Sequence, residues 1–194
     1  MGAQNKSAAM ATLLSEAASS AWSVSAPTAA KAMAYVNGKQ PFLQLTLQKD
    51  LGSITVVWEP NEYEGNGEIQ GIHFIIPDEI RQDLELVEER VREALKPSVP
   101  HIDSIWVGCT KASSKHALLR AMIVVSGEKA CACYNAAREP MPLPKEWPRL
   151  PAVPIIAVRS VYINKARAGL ALEVTSLMVG EGVERGEVIR DQVH

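Results

Sequence analysis

Alternating apolar and polar residues dominate the chain from residue 41 onward and predict a mostly β structure. Between residues 42 and 48, leucines alternate with glutamine and threonine, which is the period of a half-buried strand. Seven more strands are predicted from apolar or β-branched runs at residues 53–58, 69–76, 104–109, 118–125, 130–134, 155–163 and 170–179. About eight strands without regular helices between them favour an antiparallel sandwich or barrel over a doubly wound fold.

One segment has the period of an amphipathic helix. Pro77, Asp78 and Glu79 begin it with the proline and acidic residues that helix starts favour. Apolar residues then recur at steps of three and four and form one stripe, made of Ile80, Leu84, Val87, Val91 and Leu95. Pro97 and Pro100 end the segment. We expect the stripe to be buried against the strands.

Composition divides the chain into three parts. Residues 1–40 are rich in alanine and serine and poor in large apolar side chains, so we interpret them as a flexible N-terminal arm. Residues 41–179 form the expected body, and residues 180–194 form an acidic C-terminal tail. An α+β domain, with the helix packed on one open sheet, is the alternative to a sandwich.

Charge is distributed in blocks, although the chain is nearly neutral. It has 20 basic and 22 acidic residues, for a formal net charge of −2. Residues 51–93 hold eleven acids against three arginines, whereas residues 111–167 hold ten bases against three acids. Such blocks can pair within one chain, or they can recognise other copies of the chain or an anion.

Both blocks contain candidate contact residues. Four carboxylates in one loop could bind a hard cation or meet a neighbouring subunit, with a solvated loop as the alternative: Glu59, Glu62, Glu64 and Glu68. The bases of residues 111–167 could meet phosphates. Only three aromatic residues accompany them, Tyr134, Trp147 and Tyr162, so we expect diffuse, salt-sensitive contact without base-specific recognition.

No catalytic motif is present in the sequence. It lacks a phosphate-binding loop, a His-Glu-x-x-His zinc motif and a Gly-x-Ser-x-Gly elbow. Cys131 and Cys133 could bind zinc with Cys109 and His116, but strand thiols flanked by alanine are more often core residues. We expect no enzymatic activity, no metal, no cofactor and no membrane contact. The three cysteines favour a reducing, intracellular setting.

Four stretches of the body resemble a known family. They are residues 76–80 with the following helix and prolines, residues 102–107, residues 117–137, and the closing hairpin at 158–174. In this order they resemble the small jelly-roll coat proteins of icosahedral plant RNA viruses, of the bromovirus, cucumovirus and tymovirus type. The resemblance implies an antiparallel jelly-roll β-sandwich.

The same resemblance implies a function. The protein would be a capsid subunit that assembles with copies of itself into an icosahedral shell around the RNA genome. It would be found in the virion, and in the host cytoplasm during assembly. The four loop carboxylates would lie at subunit interfaces, and five lysines would contact RNA or face the interior: Lys6, Lys31, Lys39, Lys111 and Lys115.

Residues 1–40 depart from the bromovirus pattern, because they contain three lysines and no arginine where that arm is dense in arginine. RNA packaging by the arm is therefore not implied. Two alternatives to a capsid remain open on sequence grounds. The protein could be an intracellular adaptor or nucleic-acid-binding module, or it could be a small-ligand enzyme of α+β fold.

Overall fold

A computed structural model describes residues 12–13, 23–25, 27, 33–34, 43–46, 54–63, 66–112 and 116–180. Within these residues, eleven strand segments belong to one mixed sheet, and two helices accompany it. The strands are β1 (Thr12–Leu13), β2 (Met33–Ala34), β3 (Leu43–Thr46), β4 (Thr55–Val56), β5 (Asn61–Tyr63), β6 (Asn66–Ile76), β7 (Thr110–Ala112), β8 (Ala117–Val124), β9 (Ala132–Tyr134), β10 (Ala152–Ile163) and β11 (Ala168–Val179). The helices are α1 (Asp78–Leu95) and α2 (Ile102–Ile105).

The main path through the sheet runs β1-β3-β10-β11-β8-β6-β4. Four short strands lie beside this path: β2 pairs with β10, β5 with β6, β7 with β8 and β9 with β11. The β10–β11 and β6–β8 pairs are antiparallel, whereas β11 runs parallel to both β8 and β9. The sheet is therefore mixed.

The mostly β content and the prominent helix are confirmed, but the antiparallel jelly-roll β-sandwich is not the architecture of the described residues. They form one open mixed sheet, with parallel pairs at β1–β3, β11–β8 and β11–β9. The connection through residues 135–151 joins β9 to β10, and the hairpin at residues 164–167 then brings β11 back into the direction of β8 and β9. The alternative, an open sheet covered by a helix, is closer to this arrangement.

Helix α1 buries the stripe that its sequence predicts. Its buried apolar residues are Ile80, Leu84, Val87, Val91 and Leu95. They join one core cluster with the inward-facing residues of β6 and β8, among them Ile72, Phe74, Ile76, Leu119 and Ile123. This packing fixes α1 on one side of the sheet.

The side chains of β8 alternate between the two sides of the sheet. Its odd-numbered residues, 117 to 123, are buried in the core, while its even-numbered residues, 118 to 124, are partly or fully exposed. We call the buried side the core face and the opposite side the open face. The open face is the side away from α1.

One buried carboxylate connects α1 to the sheet. Glu88 is almost fully buried, and its Oε1 accepts a hydrogen bond of 2.7 Å from the backbone N–H of Cys109. The carbonyl of Cys109 in turn accepts a 3.1 Å bond from the backbone N–H of Arg120 on β8. Burial raises the pKa of Glu88, although its hydrogen bonds oppose this shift. The Cys109 peptide is thus held between helix and strand.

The division into arm, body and tail stays a prediction. Strands β1 and β2 fall within residues 1–40 and pair with β3 and β10. Most other residues of that segment, and residues 181–194, lie outside the described part of the chain.

Replacing Leu84 with alanine should lower the free energy of unfolding by about 2–5 kcal/mol, because the side chain is fully buried. Urea denaturation followed by circular dichroism measures the change. Leu86 lies on the same helix but is 51% exposed, so Leu86→Ala is the control and should cost no more than about 0.5 kcal/mol. Equal losses in the two variants would contradict the packing described here.

Replacing Glu88 with glutamine should change how stability depends on pH. Because the pKa of Glu88 is raised in the folded protein, the folded state holds its proton more tightly than the unfolded chain. The wild type should therefore gain stability relative to Glu88→Gln as pH falls from 7 toward 4, and should lose that gain as pH rises. Urea midpoints across this range measure the difference. A constant difference at all pH values would show that Glu88 does not titrate abnormally.

Candidate functional site

The open face carries aromatic and basic side chains on neighbouring strands. His73 of β6 lies directly opposite Arg120 of β8. Trp58, just after β4, lies with its ring edge-on to the His73 ring, with centroids 5.3 Å apart and an angle of 73° between the planes. Lys111 of β7 lies opposite Leu118 of β8, which shares a side with Arg120. We call Trp58, His73, Lys111 and Arg120 the aromatic–basic cluster.

Strand alternation explains why these residues meet. On β6, Ile72 and Phe74 are fully buried, so His73 between them must point to the open face. The backbone N–H of Val57 donates a 2.9 Å hydrogen bond to the carbonyl of His73, which extends the β4–β6 pairing. That bond brings Trp58 next to the histidine ring.

Trp58 is 54% exposed, although it is a large apolar side chain. Trp147, by contrast, is buried in the core. An exposed aromatic ring beside charged groups is typical of a contact surface, because the ring gains free energy when a ligand covers it. The exposure therefore marks Trp58 as the centre of a candidate binding site.

The charge of the cluster is concentrated on β7 and β8. Lys111 and Arg120 are exposed. Burial, and secondly the nearby charge of Arg120, lower the pKa of His73, so the ring is neutral at pH 7. Farther along the sheet, Arg159 donates two hydrogen bonds to the carboxylate of Glu173, one of them 2.7 Å long, and the pair neutralises both charges.

This arrangement can bind a planar group and an anion at the same time. The Trp58 ring offers a stacking surface, and Arg120 and Lys111 offer cationic donors. The described residues contain no group of three or more histidine, cysteine or acidic side chains that could hold a metal ion. Nor does any helix among them combine the length and apolar character needed to cross a membrane.

Cys131 and Cys133 are buried in the core, and Cys109 is partly buried against it. Burial raises the pKa of Cys131 to about 12, and burial also raises the pKa of Cys133 and Cys109. These thiols stay protonated at neutral pH, and a protonated thiol is a poor nucleophile.

The structure places only some of the candidate residues from the sequence. Glu59, Glu62 and Glu68 are exposed, and Lys111 belongs to the aromatic–basic cluster. The other candidates lie outside the described residues: Glu64, Lys6, Lys31, Lys39 and Lys115. The interface and RNA-contact roles assigned to all of these residues stay untested.

Sequence reasoning missed Trp58, His73 and Arg120 as one site. They come from three separate segments, and Trp58 and His73 lie in the acidic block, outside the basic block in which stacking aromatics were sought. One signal in the sequence could have indicated the site: Trp58 ends a β-branched run and directly precedes a polar loop, where an aromatic side chain is accessible to solvent.

No family model matches the chain, and no curated protein matches it at a significant level. Distant structural similarity is found to single-stranded DNA-binding proteins of bacteriophages. A C-terminally truncated form of the protein from bacteriophage Enc34 has a TM-score of 0.48 and 11% identity, over 87% of this chain and 97% of that chain. The Enc34 protein in complex with single-stranded DNA has a TM-score of 0.46 and 12% identity, over 85% and 97%. A single-stranded DNA-binding protein encoded by bacteriophage T7 has a TM-score of 0.43 and 12% identity, over 75% and 89%.

The expected membership of the plant-virus coat proteins is wrong. The similar solved structures described above are single-stranded DNA-binding proteins and not coat proteins. The capsid function and the virion location expected with it are wrong for the same reason, and a shell of identical copies has no support. The resemblance depended on the order of strands, helix and prolines, and that order does not determine which strands pair or in which direction.

Proposed function

We propose that this protein binds single-stranded nucleic acid through the aromatic–basic cluster on the open face. The observation that carries the proposal is the exposed Trp58 ring, which lies against His73, whose partner on β8 is Arg120. This function corresponds to the nucleic-acid-binding alternative that the sequence left open. We propose binding as the role, without catalysis.

The chemistry of the cluster favours a single strand over a duplex. The flat faces of bases can stack on a protein side chain only where the bases are not stacked inside a double helix. Stacking on an aromatic side chain contributes about 1–3 kcal/mol per base. Arg120 and Lys111 lie on the same face of the sheet as His73, and we expect them to contact phosphates of the bound strand, each contact adding a salt-dependent contribution.

Single-stranded DNA is the first ligand to test, since the Enc34 and T7 proteins are described as binding it. The proposal itself depends on the cluster and not on that similarity. Stacking and phosphate contacts are shared by DNA and RNA, so each titration should be repeated with RNA of the same sequence.

Replacing Trp58 with alanine should weaken the binding of a labelled 16-nucleotide single strand about 5- to 150-fold, which corresponds to the loss of about one stacked base. Fluorescence anisotropy measures the affinity. Leu86→Ala is the matched control, because Leu86 is equally exposed but lies on α1, away from the open face. Its affinity should equal that of the wild type. Equal losses in both variants, or none in Trp58→Ala, would contradict the proposal.

Replacing Arg120 with glutamine should reduce the salt dependence of binding. One lost phosphate contact lowers the slope of log affinity against log salt by about 0.7 for a single strand. Arg81→Gln removes the same charge from α1, where Arg81 pairs with Asp78 and Glu85. Titrations between 50 and 300 mM salt should show the smaller slope only in Arg120→Gln. The same slope in both arginine variants would indicate that net charge alone matters.

Lower pH should strengthen binding through His73. Its pKa is held below the usual 6.5, so the ring is neutral at pH 7.5 and gains a positive charge only in more acidic solution. The added charge would face the phosphates together with Arg120. We expect the affinity to increase between pH 6.5 and pH 5, and to increase less in His73→Gln. Anisotropy titrations at constant salt test this, and identical pH profiles would exclude His73 from the interface.

A further inference from the structure

A polar side chain lies next to the aromatic–basic cluster without being part of it. Asn61 of β5 lies opposite Gly71 of β6, and Gly71 is two residues before His73 on the same side of that strand. A Cβ atom at Gly71 would lie 3.0 Å from Oδ1 of Asn61. The Asn61 amide therefore lies directly over the Gly71 backbone, in space that other residues would fill with a side chain.

The surroundings of this amide suit a base. Gly71 also lies opposite Met122 of β8, a flexible apolar side chain on the open face. Two residues along a strand span about 7 Å, so Asn61 lies within reach of a base that stacks on Trp58 beside His73. The asparagine is exposed, so its amide is accessible to a ligand.

We propose that Asn61 is a specificity-determining residue that hydrogen-bonds the edge of a base bound at the cluster, with a preference for adenine. This inference rests on the proposed function. An asparagine amide presents one donor and one acceptor in a plane, which matches the amino group and N7 of adenine. The arginine and lysine of the cluster contact phosphates and cannot supply this discrimination.

Gly71 leaves room for the amide at this position. In Gly71→Ala the added methyl carbon would lie 3.0 Å from Oδ1 of Asn61, so the amide would shift by a few tenths of an ångström. Gly71→Ala should therefore weaken the base preference while the asparagine stays in the chain, whereas Asn61→Ala should remove the preference. A weaker preference in Gly71→Ala would show that the position of the amide matters as well as its presence.

The test compares two labelled 16-nucleotide strands, alternating dC-dA and alternating dC-dT, neither of which is self-complementary. The wild type should bind the adenine-containing strand about 5-fold or more tightly. Asn61→Ala should bind both strands equally and Gly71→Ala should show a smaller preference, and the affinity of both variants for the dC-dT strand should stay within about twofold of the wild type. Glu62→Gln is the control, because Glu62 pairs opposite Gln70 and so points to the other side of β5. It should keep the preference for adenine.

The outcomes distinguish this inference from the proposed function. If the wild type binds neither strand, both fail. If it binds the two strands equally, or if Asn61→Ala keeps the preference, the role of Asn61 is overturned while single-strand binding stands. A uniform loss of affinity for both strands in Asn61→Ala would assign the residue to general contact instead of base selection.

Discussion

The antiparallel pairing of β6 with β8 is the constraint on which both the core and the candidate site depend. Eight residue pairs, from Ile69 with Val124 to Ile76 with Ala117, fix which side chains share a face. On one face of the β6–β8 pair, the side chains pack in the core against α1. On the other face, His73 lies opposite Arg120. A shift of one residue would turn isoleucines outward and the histidine into the core, so hydrophobic burial also determines the geometry of the site.

Local structure can be predicted well from this sequence. The pairing and direction of the strands cannot. The strand predicted at 69–76, the strand at 118–125 and the helix stripe all agree with the structure, because each depends on a period within one segment. The predicted strand at 104–109 is different: its start belongs to the short helix α2, and Glu88 holds its end at Cys109. The parallel pairing of β11 with β8 has no local signal, and for the same reason the cluster of Trp58, His73 and Arg120 could not be predicted.

Part of the acidic block is paired within the helix that carries it. Several acids of α1 pair locally, Asp78 and Glu85 with Arg81, and Glu93 with Lys96. The exposed bases Lys111 and Arg120 lie on the opposite side, on the open face. For the ligand that we propose, a polyanion, Lys111 and Arg120 would be attractive, whereas the exposed carboxylates Glu59 and Glu62, next to Trp58 and Asn61, would be repulsive.

The buried contact of Glu88 holds part of the open face in place. Its carboxylate accepts a hydrogen bond from the N–H of Cys109, and the carbonyl of Cys109 accepts one from the N–H of Arg120. The backbone of the arginine that we propose as a phosphate contact is therefore connected through one residue to the buried side of α1. These two hydrogen bonds fix the position of the Arg120 backbone on β8. A binding surface held in this way loses less conformational entropy when a ligand binds than a loop would. The site that we propose therefore consists of side chains carried by a sheet, with an exposed tryptophan directly after β4 and two cations on β7 and β8.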